Sequence, residues 1–142
     1  MKNEIRVLLA DDHEVVRSGL ARMLERNDDM HIVGEATSGE QAYQMYTELD
    51  PDILIMDMSM PGIGGLEALR RILVRYTKAK VIMFSMHENV TLAVQSMSAG
   101  GVCLFFLGNI SDTGNKINEA IIAMSTLPTK KVRINGINDF LI

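Results

Sequence analysis

Ile53-Leu-Ile-Met-Asp57-Met-Ser-Met-Pro61-Gly62 is the stretch whose reading decides the fold. Four apolar residues, entered from Pro51-Asp52 and left through Pro61-Gly62, fit a short strand buried on both faces, as strands are in a parallel sheet. Asp57 stands where the apolar run stops, at the expected carboxyl end of that strand. In open α/β sheets this is the edge where ligands bind. On its own, Asp57 reads more simply as an aspartate capping a turn. The choice between the two depends on what the neighbouring strands bring to the same edge.

Outward from that stretch the chain alternates strand and helix. Ile5 to Ala10 reads as a first strand, and Val16, Leu20, Met23 and Leu24 recur at helical spacing from about Glu14 to Glu25. His31 to Ala36 is a weaker second strand. Ser38 and Gln41 have capping-box spacing, and Ala42, Met45, Tyr46 and Leu49 form one apolar stripe that ends before Pro51. After the Asp57 strand, Leu66, Leu69, Ile72 and Leu73 mark a helix ending near Tyr76, and Lys80 to Phe84 a fourth strand. A helix from about Val90 to Ala99, with Leu92, Ala93, Ser96 and Met97 inward, is stopped by Gly100-Gly101. Val102 to Phe106 reads as the fifth strand, and Ile117, Ala120, Ile121 and Met124 as the stripe of a last helix. Five such units imply a doubly wound α/β fold with a five-stranded parallel sheet covered on both faces. The flavodoxin-like strand order 2-1-3-4-5 suits it, with the first and third strands flanking the binding crevice.

Bulk properties narrow the function. A chain of 142 residues, 47% hydrophobic and 23% charged, fits one domain with a real core. A net charge of -4 gives no general attraction to nucleic acid or to an acidic membrane. The one cysteine, Cys103, excludes an internal disulfide and lies in an apolar run, where a buried, inert thiol is expected in a reducing compartment. No segment is long and apolar enough for a signal h-region or a membrane span, so the expected location is cytoplasmic. Eleven methionines suit core filling better than metal binding.

The shared edge then weighs toward chemistry. Leu8-Leu-Ala10 runs straight into Asp11-Asp12, so three carboxylates from adjacent strand ends should share one crevice. Like charges at that distance raise one another's pKa unless a cation is present. Mg²⁺, a hard ion held by one or two carboxylates with phosphate oxygens, is the economical answer. Capping ahead of Glu14 accounts for one aspartate better than for two. Ser85, expected just after the fourth strand, adds a hydroxyl able to donate to a phosphoryl oxygen. An aspartyl phosphatase would want a second acid two residues after Asp57, where Ser59 stands. A dinucleotide binder would want glycines where Asp11-Asp12 would repel phosphate.

Asp11-Asp12, Asp57 with Met60-Pro61-Gly62 after it, Gly65-Leu66 and Ser85 together resemble a response-regulator receiver domain. The likeness is close from about Ile5 to Ala99 and looser to about Met124. Val7-Leu-Leu-Ala-Asp-Asp-His-Glu-Val-Val-Arg17 and Met97-Ser-Ala-Gly100 are similar to the branch whose receivers precede a helix-turn-helix (LuxR-type) DNA-binding domain. The resemblance implies that Asp57 is the phosphoacceptor, taking a phosphoryl group from a sensor histidine kinase or phosphotransfer protein of a two-component system. It implies that Asp12, Asp57 and the backbone carbonyl of Ser59 hold Mg²⁺, with Asp11 acting through water. Ser85 would be the switch hydroxyl and the Met86 to Val90 loop would move with it. Enzymatic activity would be limited to self-phosphorylation and acyl-phosphate hydrolysis, and a homodimer is a further possibility of the family.

One departure from the family pattern stands out. Receivers usually carry a lysine at the end of the fifth strand, a position that falls here on Leu107; Phe106, Gly108 and Asn109 supply no cation either, and Leu104 stands at the switch-aromatic position. The alternative reading is therefore a pseudo-receiver, a protein interaction module independent of phosphorylation. Residues 1–126 are expected to form the receiver and residues 127–142 a tail or the start of a linker, with Lys130-Lys131-Val-Arg133 solvated and Asn135-Gly136 a turn. A helix-turn-helix cannot be built from the tail, so DNA would be reached only through a domain not present in this chain.

Overall fold

Val7-Leu-Leu-Ala10 and Ile53-Leu-Ile-Met56 are apolar at every position because both faces of their strands are covered, and they pair at the centre of a parallel sheet. The computed structural model describes residues 4–85, 90–105 and 110–126, with side chains for all of these except 90, 92, 93, 97, 102–105, 110 and 126. β1 (Ile5–Ala10) and β3 (Ile53–Asp57) run in register from Val7 beside Ile53 to Ala10 beside Met56. β2 (Met30–Ala36) lies outside β1, and β4 (Val81–Ser85) outside β3. β5 (Val102–Phe105) pairs with β4, which completes the order β2-β1-β3-β4-β5. Parallel pairing along one sheet requires crossovers, and these are α1 (Glu14–Leu24), α2 (Gly39–Leu49), α3 (Gly64–Arg75), α4 (Val90–Ala99) and α5 (Ile110–Thr126).

The two-residue period of the strands divides the core in two. Leu8, Ala10, Leu54, Met56, Val81 and Met83 face Ala42, Tyr46, Ala68, Leu69 and Ile72 of α2 and α3. Val7, Leu9, Ile53, Ile55, Ile82 and Phe84 face Leu20, Leu24, Ile117, Ala120 and Ile121 of α1 and α5. Each of the larger side chains contributes about 1.5–3 kcal/mol by leaving water. The doubly wound arrangement expected from the sequence is present.

Among the described residues, several element ends differ from expectation. β2 begins at Met30, one residue earlier than expected, because Met30 pairs with Ile5. β4 includes Ser85, which pairs with Phe105 of β5, so this serine is the last strand residue rather than the first loop residue. Ser38 accepts the Gln41 N–H at 3.2 Å, as a capping box requires, but the Gln41 side chain returns to the Thr37 N–H at 2.7 Å instead of to Ser38. At the end of α4, Gly100 takes φ +108 and the Gly101 N–H donates to the Ser96 carbonyl at 2.9 Å, the glycine stop expected there. No helix among the described residues is long and apolar enough to cross a membrane. The Cys103 side chain, Leu107, the loop 86–89 and the tail 127–142 lie outside what is described.

Candidate functional site

Register alone places the acids together. Ala10 and Met56 are partners across β1 and β3, so the next residues, Asp11 and Asp57, stand side by side at the carboxyl edge of the sheet. Asp11 stays tied to the ladder through its N–H, which donates to the Ala36 carbonyl at 3.0 Å, and Met58 through its N–H, which donates to the Phe84 carbonyl at 3.0 Å. Asp11 and Asp57 are buried, at 2% and 1% exposure, whereas Asp12 is open to solvent. Ser85 is also buried, one residue beyond the register partner of Asp57. The expected residues Asp11, Asp12, Asp57 and Ser85 therefore share one edge, and exposed Ser59 lies in the loop that follows Asp57.

Asp57 is poorly compensated. Its Oδ1 accepts the Ser59 N–H at 3.2 Å, while Oδ2 is buried with no hydrogen-bond partner. A buried acceptor left unpaired costs about 1–3 kcal/mol, and more when charged, so structures keep few of them without a use. Burial, with the Asp11 charge second, pushes the Asp57 carboxyl up to about 7, against the pull of the Ser59 N–H and His13. The helix that follows is brought as close as backbone allows. A Cβ on Gly65 would stand 2.1 Å from the Asp57 carbonyl oxygen, so only glycine lets α3 start there.

Two residues of the site were not anticipated from the sequence. His13 is the N-cap residue of α1, and its Nδ1 lies 2.9 Å from Asp11 Oδ1, 3.3 Å from Asp12 Oδ1 and 3.8 Å from Asp57 Oδ2. The hydrogen bond to Asp11 and the surrounding acidic charge raise its pKa. The only signal for it was its position next to Asp11-Asp12. Glu40, on the first turn of α2, accepts the Ile63 N–H of the β3–α3 loop, and its carboxylate fills the space where a Gly62 side chain would be. Nothing local in the sequence joins residues 23 apart. Arg17, the nearest cation by sequence, is occupied elsewhere: it donates to the Asp11 carbonyl at 2.7 Å and pairs with Glu35 at 2.8 Å.

Asp11, Asp12, His13 and Asp57 each offer one ligand atom, and these all lie within 4.8 Å of one another. Carboxylate oxygens suit a hard divalent cation, and the unpartnered Asp57 Oδ2 is the donor such an ion would satisfy. The residues present thus fit Mg²⁺. With its charge offset, a carboxylate so placed can act as a nucleophile, and the buried Ser85 lies on the adjacent strand.

Comparison with known proteins agrees with this geometry. Residues 7–105 match the model of the family described as the response regulator receiver domain. The chain is similar to the response regulator UvrY of Escherichia coli (strain K12), 47% identical over 96 residues that cover 68% of this chain and 44% of that protein. It is also similar to the response regulator GacA of Pseudomonas viridiflava, 44% identical over 68% of this chain and 45% of that protein. It therefore spans a little under half the length of the curated relatives it matches. Among solved structures, a two-component response regulator of the LuxR family from Aurantimonas sp. SI85-9A1 superposes with a TM-score of 0.76 at 36% identity, covering 84% of this chain and 86% of that one.

Proposed function

The chain belongs to the response regulator receiver family, matched over residues 7–105, and from that premise we propose that Asp57 accepts a phosphoryl group from a phosphohistidine on a sensor histidine kinase or phosphotransfer protein. The observation that carries this reading is the Asp57 carboxylate itself: buried, with one oxygen unpartnered, beside Asp11 and Asp12 at the carboxyl edge of the sheet. An Asp57 oxygen would attack phosphorus, the P–N bond would break toward the imidazole, and an acyl phosphate would remain on the carboxyl. Mg²⁺, when bound, supplies neutralisation of charge on the phosphoryl oxygens. Asp12, Asp57 and the Ser59 carbonyl would hold it, with Asp11 acting through water. Ser85 would donate to a phosphoryl oxygen after transfer, and water attacking phosphorus would return Asp57 to the free acid.

The output follows by analogy with the relatives, which are response regulators more than twice as long as the matched segment. We take it to be control of transcription, exerted in the cytoplasm through a DNA-binding domain outside this chain, with residues 1–126 as the receiver and 127–142 as tail or linker.

The sequence at position 107 favours a second reading. With Leu107 in place of a lysine, the chain would act as a phosphorylation-independent interaction module. Intact-protein mass spectrometry after incubation with acetyl phosphate, with and without Mg²⁺, separates the two. A Mg²⁺-dependent adduct absent from Asp57→Asn is expected; no adduct in a wild type that binds Mg²⁺ would leave the interaction module as the better account. Leu107→Lys is expected to strengthen the phosphorylation-dependent conformational change, read by amide NMR shifts with beryllofluoride.

A further inference from the structure

Charge is sharply segregated along the middle of the chain. Residues 27–69 include nine aspartates and glutamates and no lysine or arginine, whereas residues 70–80 include five lysines and arginines and no acid. All five cations, Arg70, Arg71, Arg75, Lys78 and Lys80, are exposed. They run from the second half of α3 into the segment before β4. Ala68, Leu69 and Ile72 are buried against the sheet, so the helical period sends Arg71, Val74 and Arg75 outward together, at i, i+3 and i+4. The helix dipole favours a cation in the last turn, which accounts for Arg75. It does not account for Arg70 and Arg71 before that turn, for Lys78 and Lys80 beyond the helix, or for Val74, which stands 83% exposed among them.

The acids on this face do not balance those cations. Glu67 is shared between Arg71 at 3.3 Å and Arg70 at 3.9 Å, and Glu40 accepts the Ile63 N–H. Asp50 and Asp52 line a neighbouring hollow with Lys78 and Lys80, and Asp52 there accepts the Arg6 N–H. Among the described residues, Arg75, Lys78 and Lys80 make no ion pair. Arg75 is held by aromatic neighbours instead: its Nη1 donates to the Tyr43 hydroxyl at 3.3 Å, and its guanidinium carbon lies 5.4 Å from the centre of the Tyr76 ring. The guanidinium is thereby fixed on the wall of a groove of about 580 Å³ between α2 and α3, which Ile63, Tyr43 and Val74 also line.

We propose that this groove is a docking surface for an acidic segment of a partner protein, which sets an apolar side chain against Val74 and carboxylates against Arg71 and Arg75. An arginine fork can take a carboxylate through two parallel N–H donors, and Arg75 is already positioned, so binding costs it little freedom. Nucleic acid fits less well. Phosphates would gain the same cations, but a base would need an open aromatic face, and the Tyr76 ring is engaged by Arg75 and by Tyr46, 5.1 Å away between centroids. A long polyanion would also meet the repulsion of a chain of net charge -4, which a short acidic segment avoids. The inference uses no group of the Asp57 pocket and does not rest on the phosphoacceptor reading.

Fluorescence anisotropy on the full chain tests this with three labelled probes: a peptide of leucines spaced among glutamates, a peptide of the same length and charge with glycine in place of leucine, and a thymidine oligonucleotide of matching charge. The leucine peptide should bind most tightly. Arg71→Gln/Arg75→Gln should weaken it by about tenfold and Val74→Ser by about threefold, the scale of two exposed ion pairs and of one partly covered valine. These side chains lie on the surface, so both variants are expected to keep the fold. Lys130→Gln/Lys131→Gln/Arg133→Gln, which removes the cations of the tail, should change the affinity by less than about twofold. Equal affinity for the glycine peptide, tighter binding of the oligonucleotide, or unchanged binding in Arg71→Gln/Arg75→Gln would each overturn the proposal. Self-association of the wild type that this double variant abolishes, read by sedimentation velocity, would overturn it too, because the occupant would then be a second copy. Asp57→Asn should bind the leucine peptide as wild type does, so a missing phosphoryl adduct and a missing docking surface are separate failures.

Discussion

The two ends of the central strands treat charge in opposite ways. At the amino end of β1 and β3, Arg6 and Asp52 close the pairing reciprocally: the Arg6 N–H donates to Asp52 Oδ2 at 2.8 Å and the Asp52 N–H donates to the Arg6 carbonyl at 2.9 Å. The Arg6 guanidinium also donates to the Asp50 carbonyl at 2.8 Å, and Asp50 turns the chain from α2 into β3 with φ +46. At the carboxyl end the same strands deliver Asp11 and Asp57 into one pocket, buried, with one Asp57 oxygen unpartnered. Aspartates at or next to a strand end thus do two kinds of work. Those matched to donors hold the fold, and those crowded with their like hold a site at the expense of the fold.

The sharpest way to break that contrast is to remove one acid from each end. Asp57→Asn should abolish the Mg²⁺-dependent phosphoryl adduct, and it should stabilise the metal-free protein at pH 8 by roughly 1–3 kcal/mol, since the buried charge and its repulsion with Asp11 disappear. Chemical denaturation in the presence of EDTA reads the second effect. A loss of stability in that variant would mean that Asp57 is compensated in a way the contrast denies.

The pH dependence carries the same sign. Asp57 titrates from an ordinary 3.8 when unfolded to about 7 when folded, so between those values the folded protein binds the extra proton. Its contribution to stability is therefore lost as pH rises from about 4 to about 7, and the penalty is complete above that. Metal-free wild type should lose roughly 1–3 kcal/mol relative to Asp57→Asn across that window, and saturating Mg²⁺ should restore much of it by binding only the folded state. Parallel curves for the two proteins would sink the argument.

How much of this was legible in the sequence follows the range of the forces involved. Apolar runs and helical stripes are local, so the five strands and their covering helices could be read from spacing, and strand ends gave the shared edge for Asp11, Asp12, Asp57 and Ser85. What failed was non-local. Ser85 is in β4 because Phe105 pairs with it, which no apolar run announces. The one-residue shift of register between Val7 and Leu8 against β2 depends on two strands meeting. His13 is not legible from sequence because nothing local shows that its side chain turns toward Asp11 rather than to solvent.

Asp52→Ala is the matching test at the amino end. It leaves the Arg6 N–H without its acceptor and should destabilise the protein by about 1 kcal/mol, the ordinary worth of one such bond, with no effect on the phosphoryl adduct. The opposite signs for Asp52 and Asp57, measured in the same denaturation experiment, are what the contrast requires.

The smallest effect should come from Glu40, where the two kinds of acid meet in one residue. α3 begins at an N-cap, Ile63, whose side chain cannot cap, and the position from which a capping-box glutamate would reach back to the Ile63 N–H is Leu66. Glu40 supplies that acceptor from α2, and the left-handed glycines Gly62 and Gly64 on either side of Ile63 give the backbone the freedom to present its N–H. A matched acid therefore fastens the loop on which the unmatched one depends, since residues 58–62 lead directly from Asp57. Because Glu40 is exposed, its bond is worth less than a buried one, and Glu40→Ala should cost about 0.5–1 kcal/mol in stability. The more telling readout is local: hydrogen exchange at the Ile63 amide should accelerate roughly two- to fivefold in Glu40→Ala, in step with that loss. Glu40→Gln, which keeps an acceptor oxygen, should restore most of the protection. Equal exchange in all three proteins would reduce Glu40 to a surface carboxylate favouring its own helix start, and the loop would then be held by the Met58, Ser59 and Gly65 amides, which donate to the Phe84 carbonyl, Asp57 Oδ1 and the Met58 carbonyl.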